Sequence, residues 1–555
     1  MRWSAWRGSR RFTLAAMVLF TVMWAAMTYP QVLHMTDGVN DVGDPLLNTW
    51  ALSWVAHQLP FAPAHIFDAN IFHPERRTLA YSETLLAPAI VGAPLLWLGA
   101  GPVLVYNLLL MAAFVLSGVG TALLVRDLTG RPGAALVAGA MFAFLPFRFD
   151  HYAHFQLQHT EWMPLALWAF HCFLRDHRRR YAVVLGLAVG GQALTSMYNA
   201  LFLGAYLAVV GGIVLLADWR QLPQRLGGLL AAVVLAGALA SPVAIAHMRA
   251  HDVVGGRSRA EVTSGSAVWT DFLAASPSSK LYGTLSPGLG GPERHLFLGV
   301  LGVALTTVAL WPPWSPVRLA YGAGLLLAVD MARGLNGWTY GVLYEHLFVF
   351  QGLRIPSRMT IMIGLSLAVL AGYGVARVLA GVRSRGTRAA VTAALIAVVM
   401  IESWSAPFAL ALIPREFPQT YADLLADKGE PPRTSVIRRL RDRAPDVIVE
   451  FPINQEDPTF MYYSTFHWQT LINGYSGFYS ARYVMLDDML KRFPDHQTVE
   501  ELARLQTRYV VIHGELMPPE QYQQLTARLE SQPYFRVVSK RPWQGREISL
   551  YRLSF

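Results

Sequence analysis

Long apolar runs separated by short arginine clusters fill residues 12 to 410, and that alternation leaves few folds open. An apolar run of roughly twenty residues is the length of a helix crossing the hydrocarbon core of a bilayer. Runs at 12–27, 103–125, 134–147, 162–174, 182–196, 200–217, 226–247, 296–310, 319–331, 359–379 and 389–410 each predict one helix. With 54% hydrophobic and only 15% charged residues, the chain reads as mainly α, a polytopic transmembrane bundle. The formal charge of +10 does not point to nucleic acid, because the arginines fall in the short gaps between runs, where membrane topology is encoded. The one cysteine, Cys172, lies inside an apolar run, so no intrachain disulfide can form.

Cytoplasmic loops collect Lys and Arg. The N-terminus (Arg2, Arg7, Arg10, Arg11) and the clusters at Arg126/Arg131, Arg175/Arg178/Arg179/Arg180, Arg220/Arg225 and Arg383/Arg385/Arg388 form one set if all are cytoplasmic. The first run then reads as a retained signal anchor rather than a cleaved signal peptide. The first loop (31–84), the loop 249–295, the segment 334–358 and everything after 413 face outward. Residues 85–99 are apolar but interrupted by Pro88, Gly92 and Pro94, which suits a re-entrant or interfacial element. The count is then about 11 crossings, or about 13 if the stretch after Asp44 also spans.

Beyond Pro414 the apolar runs shorten to strand length at 447–451, 509–513, 535–538 and 548–553, alternating with charged helical patterns at 499–506 and 519–531. The expected division is a membrane module over 1–412 and a small extracytoplasmic α/β domain over 413–555.

The stretch 34–57, HMTDGVNDVGDPLLNTWALSWVAH, places Asp37, Asp41 and Asp44 just outside the first run. Asp44-Pro45 reads as N-cap and first turn of a helix. Leu46, Leu47, Trp50, Trp54 and Val55 recur at helical spacing, leaving Asn48, Thr49, Ser53 and His57 opposite, so the helix is expected to lie in the membrane surface. A carboxylate there could act as a base or merely cap the helix.

Two further outward groups carry positive or proton-bearing side chains. One is 148–161, RFDHYAHFQLQHTE, whose His151, His154 and His159 can donate to phosphate; His151 and His154 share a face if the segment is helical. The other is QGLRIPSR, where Arg354 and Arg358 offer the planar fork suited to a phosphate clamp, or else an anchor to lipid headgroups. Asp330, Glu402, His171 and His247 stand near run ends as weaker candidates. Asp41 and Asp44 with His34 or His73 could hold a divalent cation, although acids in such loops more often form turns. The aromatic stretch 462–483 suits carbohydrate stacking, a protein interface, or a loop docking the C-terminal domain. Phosphate-binding Walker loops, dinucleotide fingerprints and GxSxG elbows are absent from the sequence.

This arrangement resembles the GT-C superfamily of integral membrane glycosyltransferases: an inward N-terminus, an acid heading a helix in the first outward loop, many further spans, and an outward C-terminal domain. GDPLLNTWALSW, FHPE, Tyr106-Asn107, RDLTGR and PFRFDHYAHFQLQ carry a closer likeness to a group of uncharacterised bacterial membrane proteins placed in that superfamily. The resemblance implies a polyprenyl-phosphate sugar as donor, an acceptor glycan, lipid or protein, and reaction at the outer face of the bacterial cytoplasmic membrane. The family's first-loop acid falls on Asp44, with Asp41 as the alternate, and Asp37, His151, His154, His159, Arg354 and Arg358 become candidate substrate ligands. Pro45, where many members carry a second acid, leaves the metal unassigned. A lipid or polysaccharide transporter and a non-catalytic scaffold whose outward domain binds a partner are the rival readings.

Overall fold

The computed structural model describes residues 3–430, 444–453 and 456–554, with side chains from residue 10 onward. Arg2 and the Arg7 side chain therefore lie outside the described residues.

Every one of the eleven expected runs carries a helix, among them Trp3–Met27, Pro102–Thr129, Trp162–Asp176, Arg179–Thr195, Met197–Ala217, Leu222–Val254, Pro316–Ala332, Thr360–Ala380 and Arg385–Glu402. Among the described residues six helices are long and apolar enough to cross a membrane by length and composition. Burial separates inner from outer helices. The segment Pro356–Gly381 is 89% buried across its apolar window, whereas Trp219–Val254 is only 17% buried and presents Leu230, Val233 and Val234 outward. Small residues let the inner helix pack closely: a Cβ at Gly374 would stand 2.2 Å from the Leu305 carbonyl oxygen.

The run 389–410 ends sooner than its hydropathy suggests. The helix stops at Glu402, and Ala411–Leu412 pairs antiparallel with Gly38–Val39. Residues 85–99 form the helix Leu86–Trp97, whose twelve residues rise about 18 Å, short of a bilayer core of about 30 Å.

By compactness the chain divides into two units that do not follow the linear order. One comprises residues 1–33, 108–244 and 256–409; the other comprises 34–107, 245–255 and 410–555. The first outward loop and the helix Leu86–Trp97 thus group with the C-terminal region rather than with the other apolar helices.

The second unit contains a five-stranded mixed sheet in the order Thr470–Leu471, Val447–Phe451, Thr507–His513, Arg546–Leu553, Phe535–Trp543. The first three strands run parallel and the last two pair antiparallel. The helices His496–Arg504 and Pro519–Glu530 match the charged helical patterns, and Val449, Leu486, Leu502, Val510, Leu529 and Tyr551 meet in one core.

The helix Asp44–Gln58 corrects the expectation of an exposed amphipathic element. Every residue from Pro45 to Ala56 is buried, between Leu86–Trp97 and Asp457–His467. Its polar side is covered by protein, and its indoles find partners: Trp50 Nε1 donates to Asn70 Oδ1 at 3.1 Å and Trp54 Nε1 to the Ile66 carbonyl at 2.9 Å. Sequence periodicity records which side chains share a face, not what a distant part of the chain lays over it.

Candidate active site

In the second unit the three acids prove unequal. The Asp37 carboxylate receives Arg415 through Nε and Nη2 at 3.1 and 3.0 Å, and its carbonyl accepts the Ile413 N–H at 2.7 Å. Asp37 therefore ties the first loop to the chain at 411–415. Asp41 Oδ1 accepts the Gly43 N–H at 2.5 Å, a local turn of the kind aspartate favours. Asp44 is not the N-cap: Gly43 occupies that position, Asp44 is the first helical residue, and no side-chain capping bond forms. Its Oδ1 instead accepts the Tyr475 hydroxyl at 3.1 Å. Asn107 fixes the approach to these acids, donating through Nδ2 to the carbonyls of Met35 and Gly38 at 3.0 and 2.9 Å.

Tyr475 belongs to the aromatic stretch 462–483, which lies against the first loop. Phe72 meets Tyr483 and Tyr479 edge-on at 4.6 and 5.7 Å between ring centroids, and the Phe72 N–H donates to the Asn473 carbonyl at 3.1 Å. Burial, followed by the charge and hydrogen bond of Asp44, raises the Tyr475 pKa well above the ordinary phenol value. The phenol thus stays a proton donor to Asp44 at neutral pH. Helix position adds to this, because a carboxylate in a first turn meets the positive end of the helix dipole.

In the first unit, Arg358, His151 and His154 gather on an acid. Glu293 Oε1 receives Arg358 Nη2 at 2.5 Å and lies 3.3 Å from His154 Nε2; Oε2 receives Arg358 Nε at 3.0 Å and lies 2.9 Å from His151 Nε2. His151 and His154 come within 5.6 Å by a turn, not by a helical face: one helix ends at Asp150 and a short one begins at Phe155. Burial opposes ionisation of Glu293, but Arg358 and the His151 bond outweigh it and hold the carboxyl far below its usual range. His154 is pushed down to about 3, first by burial and then by the Arg358 charge, against the opposing pull of Glu293. Two residues along, His295 Nδ1 lies 3.1 Å from Asp150 Oδ2, and that hydrogen bond raises the His295 pKa. Arg354 is exposed and makes no ion pair among the described residues, yet its charge reaches His154.

No family model and no curated protein matches the sequence. Solved structures do match in fold. The arabinofuranosyltransferase AftD from Mycobacteria aligns over 98% of this chain with a TM-score of 0.61 at 15% identity. ArnT from Cupriavidus metallidurans aligns over 99% of this chain and 98% of its own length, with a TM-score of 0.50 at 13% identity. The chain has the GT-C fold. It spans about 40% of the length of AftD.

Within this fold the remaining candidates have partners of their own. His159 stays apart from the other two histidines, with Nδ1 2.9 Å from Glu161 Oε1 and its carbonyl accepting Gln192 Nε2 at 3.1 Å. Arg148 is fully buried: it donates to both the Gln158 carbonyl and side chain and packs 4.0 Å from the Phe114 ring centroid, which closes the loop carrying His151 and His154. Glu402 accepts the N–H groups of Val300 and Leu301, satisfying orphan donors at the head of a helix, and Asp330 does the same for Trp338 and Thr339. Among the described residues no group of three or more His, Cys, Asp or Glu side chains is arranged to hold a metal ion. Asp41 and Asp44 thus do not build a cation site with His34 or His73.

Two residues in these contacts escaped the sequence reading, Tyr475 and Glu293. Tyr475 was legible only as one of many aromatics. For Glu293 a signal existed: arginine and histidine that are to be buried need a counter-charge, and the long outward loop offers few acids to supply it.

Proposed function

We propose that the protein is a membrane glycosyltransferase that moves a sugar from a polyprenyl-phosphate donor to an acceptor hydroxyl, with Asp44 as general base. The observation that carries this reading is the different employment of the three acids in a GT-C fold. Asp37 is committed to Arg415 and Asp41 to the Gly43 N–H, whereas Asp44 is oriented by a neutral phenol at the head of a buried helix. In this reading the acceptor hydroxyl takes one of the roughly four acceptor positions a carboxylate offers.

The acceptor oxygen loses its proton to Asp44 as it attacks the anomeric carbon. The leaving phosphate takes the bonding pair and needs positive charge rather than an acid. Candidate phosphate ligands are Arg354 and Arg358, which carry charge, and His151 and His154, which offer N–H donors. Single displacement inverts the anomeric centre. Acceptors of this class are glycans, lipids or proteins bearing a hydroxyl, and the chemistry takes place at the outer face of a bacterial cytoplasmic membrane. The N-terminus is then cytoplasmic and residues 413–555 extracytoplasmic.

The test is turnover by the purified protein in lipid with a panel of polyprenyl-phosphate sugars and acceptors. Asp44→Asn should lower turnover about 10²- to 10⁴-fold while donor binding persists. Undiminished turnover in Asp44→Asn removes the base assignment. Failure of every donor with the unmodified protein removes the transferase reading.

A further inference from the structure

A phosphate site needs donors converging from several directions. His151, His154 and Arg358 provide that convergence, but onto a carboxylate of the chain itself. Four nitrogens from three residues fork onto the two oxygens of Glu293, at 2.5 to 3.3 Å. This is the bidentate arrangement by which arginine grips carboxylate and phosphate alike.

The main chain beneath Glu293 is held in place. Its φ of 68° lies in the left-handed region, which a non-glycine residue keeps only where its surroundings impose it. The Glu293 carbonyl accepts the Ser357 hydroxyl at 3.0 Å, and the Asp150–His295 contact anchors the chain just beyond. The side chain alone reaches the cradle, and at 15% exposure it is mostly but not wholly buried. Arg354, exposed nearby, adds further positive charge. With the Glu293 carboxylate elsewhere, the cradle is a positively charged site with the donors a phosphate group requires.

We propose that Glu293 is a displaceable internal anion: its carboxylate holds the cradle of His151, His154 and Arg358 until a phosphate group takes its place, and the side chain turns out to water as the phosphate enters. This rests on the reading that these residues receive the donor phosphate. Glu293 is a specificity residue in this account. It neutralises the cradle in the empty protein and sets a threshold that a weakly bound anion does not pass.

Binding of farnesyl phosphate and of inorganic phosphate to the protein in lipid nanodiscs tests this without requiring turnover. Glu293→Gln, which keeps the size and loses the charge, should bind farnesyl phosphate about tenfold more tightly than the unmodified chain. Parallel tightening of inorganic phosphate assigns the site to the phosphate group alone; tightening confined to farnesyl phosphate assigns it to a lipid-borne phosphate. Unchanged or weaker binding of both overturns the proposal and makes Glu293 a permanent counter-ion. Should Glu293→Gln not fold, carboxyl labelling of the unmodified protein with a water-soluble carbodiimide and glycine ethyl ester decides the matter. Glu293 should label faster with farnesyl phosphate present, and equal or slower labelling overturns the proposal. Either result stands apart from Asp44→Asn turnover, so the two readings fail separately.

Discussion

Each compact unit holds a network of carboxylate, histidine and a further polar partner, and the two are built with opposite charge balance. In the C-terminal sheet region, His513 Nε2 lies 2.7 Å from Glu450 Oε2 and its Nδ1 2.9 Å from Glu515 Oε1, while the Tyr421 hydroxyl donates to Glu450 at 2.6 Å. Two acids there share one histidine, and His513 and Glu450 are wholly buried. At Glu293 one acid faces an arginine and two histidines, and water reaches it. The histidines respond in opposite directions. Burial would lower the His513 pKa, but its two carboxylates raise it to about 9; His154, buried beside Arg358, falls to about 3. The first network has acids to spare and no opening. The second has donors to spare and an opening, which is what an anion site needs.

Breaking the sealed network should have the largest effect on stability. Glu450→Ala leaves His513 and Tyr421 without their shared acceptor, and removing one partner of a buried pair costs about 3–5 kcal/mol. The check is a thermal melt in detergent, set beside Glu293→Gln, whose solvent-reached site should lose less. A larger loss in Glu293→Gln than in Glu450→Ala would break the comparison.

Titration comes next and should show two opposing slopes. The folded pKa of His513 is raised above 6.5, so its contribution is complete below about pH 6.5 and is lost as pH climbs through about 9, a matter of ~3 kcal/mol. The folded pKa of His154 is depressed, so its contribution is present above about pH 6.5 and is lost as pH falls toward 3. Melting temperature against pH should lose its alkaline slope in His513→Gln and part of its acid slope in His154→Gln. Persistence of the alkaline slope in His513→Gln would refute the charge balance assigned to that network.

The smallest effect is expected at the Asp37–Arg415 pair. Arg415 is mostly exposed, and Arg415→Ala should cost only about 0–1 kcal/mol with turnover unchanged. A collapse of turnover would move Asp37 from an anchor to a participant.

Hydropathy alone pointed to the eleven apolar helices, because an apolar run that forms a helix satisfies its backbone internally, so each run carries its own instruction. The strands at 447–451 and 548–553 were legible for a similar local reason: short apolar runs between charged helical patterns. The acid at the head of the first-loop helix could also be singled out, since its position depends on adjacent residues. Contacts hundreds of residues apart were another matter. Tyr475 reaches Asp44, Arg415 pairs with Asp37 and Asn70 donates to Ser464 and the Gln469 carbonyl, all across intervals that periodicity cannot span. Those contacts gave Asp37 and Asp44 different partners, and they buried a helix whose pattern reads as amphipathic. Glu293 shows the same limit. Its sequence neighbours mark a turn, and only the folded chain brings three donor residues from elsewhere onto its carboxylate, because charge pairing depends on distance in space and not along the chain.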